Sequence, residues 1–148
     1  MTASDLVTEA EFRLVGLPTR ASIPLEGLIV EGTLVSGTGT AGAWSDELNR
    51  LLGDALGVMF VSGTFNIQLP CAIVWDSPLA LQGGTHPWEL CPIVLQDRAI
   101  GLAFRGNTDR PDLLEIVAPI EIRNRLGGMQ SGATVTGRLL PGSRIPLK

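Results

Sequence analysis

Apolar positions recur along this chain with two different periods. From Leu25 to Val35 they alternate, imperfectly, with Leu28, Val30 and Leu34 on one side and Glu31 and Thr33 on the other. That pattern predicts a strand, which then breaks into the glycine-rich Ser36-Gly-Thr-Gly-Thr-Ala-Gly42. After Trp44 the period lengthens: Leu48, Leu51, Leu52 and Ala55 fall at helical spacing behind Ser45 as N-cap, with Asp46 and Glu47 in the first turn and Gly57 as the stop. Strand-like runs follow at 58–69, 71–75, 90–95 with its continuation 99–104, and 113–117, separated by proline- and glycine-containing loops of which 76–88 is the longest. Pro119 stands where a helix likes to start and Gly127-Gly128 where it should stop, so a second short helix is expected, followed by a closing strand at 133–139. Many short strands, two short helices and no β-α-β alternation predict a mainly β chain closed into a small barrel. Residues 1–24, of mixed polarity, are expected to be a loosely docked arm or edge strand, and 25–148 a single domain.

With 148 residues, 45% of them hydrophobic, the chain has room for one substantial core. Its only lysine is Lys148, which excludes an internal lysine for a Walker-type phosphate loop or a Schiff base. One histidine, His86, and two cysteines, Cys71 and Cys91, without short ligand spacing make a structural zinc site unexpected. His86 lies in Gln82-Gly-Gly-Thr-His-Pro-Trp88, which reads as a turn-rich loop and so as a place for a solvated histidine. A net charge of −4 with no basic cluster argues against a nucleic-acid partner. The acidic first residues lack a signal-peptide apolar stretch and no apolar run is long enough to span a bilayer, so no membrane association and a cytoplasmic location are expected.

Three segments could carry chemistry. The loop Gly37, Thr38, Gly39, Thr40, Ala41 and Gly42 has the composition for backbone N–H groups to close around phosphate oxygens, with the two threonine hydroxyls assisting; a glycine-rich hairpin connection is the alternative. In Ser62-Gly-Thr-Phe-Asn-Ile-Gln-Leu69, extended geometry sends Phe65, Ile67 and Leu69 to one face and Thr64, Asn66 and Gln68 to the other. Thr64 and Asn66 could both contact one hard cation such as Mg²⁺, or form an ordinary polar row facing solvent. In the third segment, 113–126, Glu115 lies inside an apolar strand, where a carboxylate needs water or a donor. Arg123 and Arg125 offer planar donors for a phosphate or base edge, although Arg125 could equally pair with Glu121 at i,i+4.

Taken in this order, the segments resemble the archaeal CTP-dependent riboflavin kinase family, over about Leu25 to Leu140. The likeness rests on Val35-Ser-Gly-Thr-Gly-Thr-Ala-Gly42, on Gly63-Thr-Phe-Asn-Ile-Gln-Leu69 and on Leu114-Glu-Ile-Val-Ala-Pro-Ile-Glu-Ile-Arg123 with Leu126 and the Ser131-Gly132 turn. It implies a closed six-stranded cradle-loop barrel with one or two short helices that phosphorylates riboflavin to FMN at the expense of a nucleoside triphosphate, CTP in that family. It further implies Thr64 and Asn66 as Mg²⁺ ligands, Thr108 and Glu115 as flavin contacts, and Gly37 to Gly42 with Ile120, Glu121, Ile122 and Arg123 as the nucleotide site. Glu115 would orient the acceptor or serve as general base. The nucleotide loop diverges from the family pattern at Thr40, Ala41 and Ala43, and Ser62 replaces the residue usual before Gly-Thr. A non-catalytic flavin- or nucleotide-binding module of the same fold, and a kinase for another small acceptor, are the alternative functions.

Overall fold

The computed structural model describes residues 8, 10–11, 14, 27–35, 41–61, 63–73, 79–83, 86–105 and 112–140. Within them lie strands β1 (Leu28–Val35), β2 (Phe65–Gln68), β3 (Leu79–Gly83), β4 (His86–Leu95), β5 (Ala99–Arg105), β6 (Leu113–Val117) and β7 (Thr134–Leu139), with helices α1 (Ala41–Leu56) and α2 (Ile122–Arg125). Every pairing is antiparallel, in the order β3-β4-β5-β6-β2-β1-β7. Residues Ile93, Val94 and Leu95 of β4 also pair with Leu139, Arg138 and Gly137 of β7, which closes six of the strands into a barrel. β3 extends the same edge of β4 beyond β7.

Strand alternation divides the apolar side chains into two layers. Val30, Leu34, Phe65, Ile67, Ile93, Leu95, Leu114, Ile116, Val135 and Leu139 fill the barrel interior. The intervening Leu90, Val94, Ile100, Leu102, Phe104 and Val117 point outward and are covered by Leu52 and Leu56 of α1 and by Leu14 of the N-terminal arm. Leu28, placed by its spacing with Val30 and Leu34, is instead 42% exposed at the start of β1.

The closure of the barrel is reinforced where β4 turns into β5. Gln96 and Asp97 both adopt positive φ (53° and 55°) within the connection of residues 96–98, where the Arg98 N–H donates back to the Leu95 carbonyl at 2.9 Å. Gln96 donates its backbone N–H to the Thr136 carbonyl and accepts the Thr136 N–H on Oε1, while Asp97 meets Arg138 at 3.2 Å. The hairpin tip is thereby tied to β7.

Several sequence expectations are corrected. α1 begins at Ala41, not after Ser45, because Ala41 and Ala43 are strong helix formers and the single Gly42 costs only about 1 kcal/mol against alanine. Gly57 does end it, with φ 69° and its N–H donated to Gly53. The strand expected at 58–69 is confined to Phe65–Gln68. Cys71, Ala72 and Ile73 are not strand, and Val74 and Trp75 lie outside the described residues. The loop expected at 76–88 contains β3 and the start of β4, so His86 is a strand residue opposite Gly83. No helix among the described residues is long and apolar enough to cross a membrane.

Candidate functional site

The β2–β6 pair lies at the centre of the site. Its register sets Phe65 opposite Ile116, Asn66 opposite Glu115 and Ile67 opposite Leu114. Phe65 and Ile67 point into the barrel, so Asn66 and Glu115 share its outer side, where β5 sets Phe104 opposite Glu115. Asn66 is only 3% exposed and its Oδ1 has no hydrogen-bond partner, so it does not form a solvent-facing row. A buried amide oxygen without a donor costs on the order of 1–3 kcal/mol unless something else satisfies it. Gln68, next on that face, donates from Nε2 to Asp112 Oδ2 at 2.7 Å and to the Leu69 carbonyl at 3.1 Å. Glu115 is half-buried, and desolvation pushes its carboxyl above the ordinary glutamate value.

Where β2 begins and β6 ends lies a cleft of about 80 Å³ lined by Val61, Gly63, Thr64, Phe65, Ile116, Ala118 and Ile120 to Arg123. One water needs on the order of 10–15 Å³ of such space, so the cleft accommodates a phosphate-sized group or a few waters. Two bonds hold its walls together: the Val61 N–H donates to the Ala118 carbonyl at 2.9 Å, and Asn49 of α1 donates from Nδ2 to the Val61 carbonyl at 3.1 Å. Gly63, at φ 94°, makes the bend that delivers Thr64 to the cleft. On the other wall, α2 ends in two positive-φ glycines, Gly127 and Gly128, whose N–H groups return to the carbonyls of Asn124 and Arg123. Arg123 itself has one long contact, Nη1 to the Met129 carbonyl at 3.5 Å.

Thr64, Ile120, Glu121, Ile122 and Arg123 therefore meet at one cleft, whereas Asn66 and Glu115 are not among its lining residues and pair on the outer face of β2 and β6. Gly37, Thr38, Gly39, Thr40 and Thr108 lie outside the described residues. Ala41 and Gly42 form the first turn of α1 rather than loop, so the free N–H groups that the composition promised belong, at these two positions, to a helix start. Arg125 is not a free donor and does not pair with Glu121. Its Nη2 lies 2.9 Å from Glu11 Oε1, its Nη1 reaches Glu11 Oε2 at 3.2 Å and the Arg98 carbonyl at 3.0 Å. Sequence reasoning also missed Asn49, Val61, Ala118 and Glu11. For Glu11 a signal existed: Thr8-x-x-Glu11 is a capping-box spacing, and Glu11 N–H does donate to Thr8 Oγ1 while Thr8 N–H donates to Glu11 Oε1.

The residues fit a hard cation in kind. Asn66 offers a neutral, unsatisfied oxygen, and Thr64, just before β2, offers a hydroxyl at the cleft. No cluster of three or more histidine, cysteine, aspartate or glutamate side chains able to hold a metal occurs among the described residues. A cation here would depend on its ligand's own phosphates for negative charge. Compared with known proteins, the chain matches no family model and no curated protein.

Proposed function

We propose that this protein is a Mg²⁺-dependent phosphotransferase of the riboflavin kinase type, forming FMN from riboflavin and a nucleoside triphosphate. The observation that carries this reading is the convergence of Thr64 with Ile120–Arg123 on one cleft, together with the unsatisfied Asn66 oxygen opposite the half-buried Glu115 on the outer face of β2 and β6. Thr64 and Asn66 would hold the Mg²⁺, which supplies charge neutralisation for the transferring phosphates. Arg123 adds a guanidinium to the same task, which matters in a chain whose single lysine is its last residue. CTP is the donor that the resemblance favours. Glu115 orients the acceptor's primary hydroxyl and accepts its proton as that oxygen bonds to the γ-phosphorus and the bond to the leaving diphosphate breaks. A carboxyl raised by desolvation is a stronger base than an ordinary one, which suits that role. Phosphoryl transfer is otherwise a matter of positioning and charge.

The test is incubation with riboflavin, Mg²⁺ and each of CTP, ATP, GTP and UTP, with FMN measured by chromatography. FMN is expected with at least one donor, and Asn66→Ala should reduce its formation by about 100-fold or more, the scale of losing one preorganised electrostatic group. No FMN with any donor would reject the activity. The divergent Thr40, Ala41 and Ala43 favour one second reading, a flavin- or nucleotide-binding module without turnover. Tight binding with no FMN, abolished by Asn66→Ala, would establish it. Nucleotide binding without riboflavin binding would point to another small acceptor.

A further inference from the structure

The deepest carboxylate in the described structure lies outside the cleft. Glu11, on the N-terminal arm, is completely buried, and five donors converge on its two oxygens. Oε1 accepts from the Thr8 N–H at 2.9 Å, the Thr8 hydroxyl at 3.0 Å and Arg125 Nη2 at 2.9 Å. Oε2 accepts from the Ile100 N–H at 2.9 Å and Arg125 Nη1 at 3.2 Å. The Arg125 side chain is itself only 9% exposed.

Each of these bonds has a place in the fold. The β5–β6 ladder reaches Leu102 opposite Val117 and goes no further, so Ile100 stands past its end with an N–H that β6 does not take. Glu11 fills that vacancy at the point where the chain leaves β6. Beyond Val117 the chain supplies one wall of the cleft, Ala118 and Ile120 to Arg123, and two residues later it returns to Glu11 through the bidentate guanidinium of Arg125. The wall is thus anchored at the end of β6 and in α2 by one side chain from the arm. A four-residue helix has too few backbone hydrogen bonds to hold its own position.

We propose that Glu11, acting through Arg125, is a positioning residue for the ligand cleft: the N-terminal arm is a strap that fixes the α2 wall and with it Arg123. This rests on the reading of the cleft as a Mg²⁺-nucleotide site, but it can be judged apart from that reading. The experiment uses the full chain with Glu11→Gln, which keeps the shape and removes the charge. Amide hydrogen exchange is followed at Arg125 and Leu126, whose N–H groups bond to Glu121 and Ile122, and at β1 and β7 as reference. Affinity for Mg²⁺·CTP is measured alongside.

Exchange at Arg125 and Leu126 should accelerate by about tenfold or more, β1 and β7 should keep their protection, and Mg²⁺·CTP binding should weaken by about tenfold. In an Arg123→Gln background the same change should weaken binding no further, since the strap acts through that arginine. Unchanged exchange in α2 overturns the proposal, as does uniform acceleration across the barrel, which would make Glu11 a general stabiliser. Should Glu11→Gln not fold, Thr8→Ala, which leaves the ion pair and loosens the arm, should give a smaller acceleration confined to the same two amides, and no acceleration there counts against the strap. If the unaltered protein does not bind Mg²⁺·CTP, the nucleotide reading fails while the exchange data still decide the strap.

Discussion

Glu115 stands opposite Asn66 on one strand and Phe104 on the other, so its neighbours across the sheet are an amide with an unsatisfied oxygen and an aromatic ring. Desolvation raises its pKa in the folded chain, which means the native state holds a proton that the unfolded state has already lost. Stability must then fall as pH rises from the ordinary value of 4.5 through the raised one, with no cost from this group below 4.5. One proton sets the slope at no more than about 1.4 kcal/mol per pH unit. Glu115→Gln should therefore flatten the pH profile on the neutral side and be more stable than the parent at neutral pH, while losing FMN formation. Urea denaturation at a series of pH values checks the first part, and a profile matching the parent's would contradict it. A gain in stability with a loss of activity is what separates a carboxylate kept for chemistry from one kept for packing. Cys91 shows desolvation without such a role: burial pushes its thiol up to about 12, against the opposing effect of a hydrogen bond with the Leu140 backbone, and its Sγ also donates to the Pro92 carbonyl at 3.6 Å.

At the scale of elements, close packing between strands decides what the chain tolerates. Gly32 lies in β1 against β2, where an added Cβ would fall 2.6 Å from Ile67 Cγ2 and well inside contact with the Gln68 carbonyl. Gly32→Ala should thus destabilise the barrel by about 1–3 kcal/mol, as overpacking does, although glycine-to-alanine in an open strand is ordinarily favourable. Equilibrium urea unfolding reads this directly, and a neutral or stabilising result would mean that β1 and β2 are free to separate at that point. Much of this layer was legible in advance. Alternation located β1, β5, β6 and β7 to within a few residues, and the leucines at 48, 51 and 52 with Gly57 located the body and end of α1. β3 and the start of β4 were hidden because Gly83 and Pro87 resemble loop residues. Among the described residues β5 first pairs with β4 at Glu89, and Pro87 pairs with Gln82 of β3. The site was legible in part for the same reason. The period of two placed Asn66 on the face opposite Phe65 and Ile67, but nothing local shows that Asn66 would be buried, or that Arg125 would turn from Glu121 four residues away to Glu11 across the molecule.

At the scale of the whole molecule, the arm and the barrel share one outer core. Leu14 is fully buried in the same cluster as Leu52 and Leu56 of α1 and Ile100 and Leu102 of β5. Within the segment expected from its mixed polarity to be a loosely docked arm or an edge strand, Leu14 thus joins the core and Glu11 engages α2. Leu14→Ala would leave a cavity between α1 and the sheet and should cost about 2–5 kcal/mol, the range for a buried leucine. A loosely docked arm would lose almost nothing. Because the cavity touches α1 and β5 together, helix loss by circular dichroism and loss of amide protection in β5 should move to lower urea in step, as one cooperative transition. If instead only the arm came free, the midpoint would stay near the parent's while the exchange protection of Ile100, whose N–H depends on Glu11, dropped alone. The first outcome makes the arm part of the folding unit; the second would confine its contribution to the strap on α2.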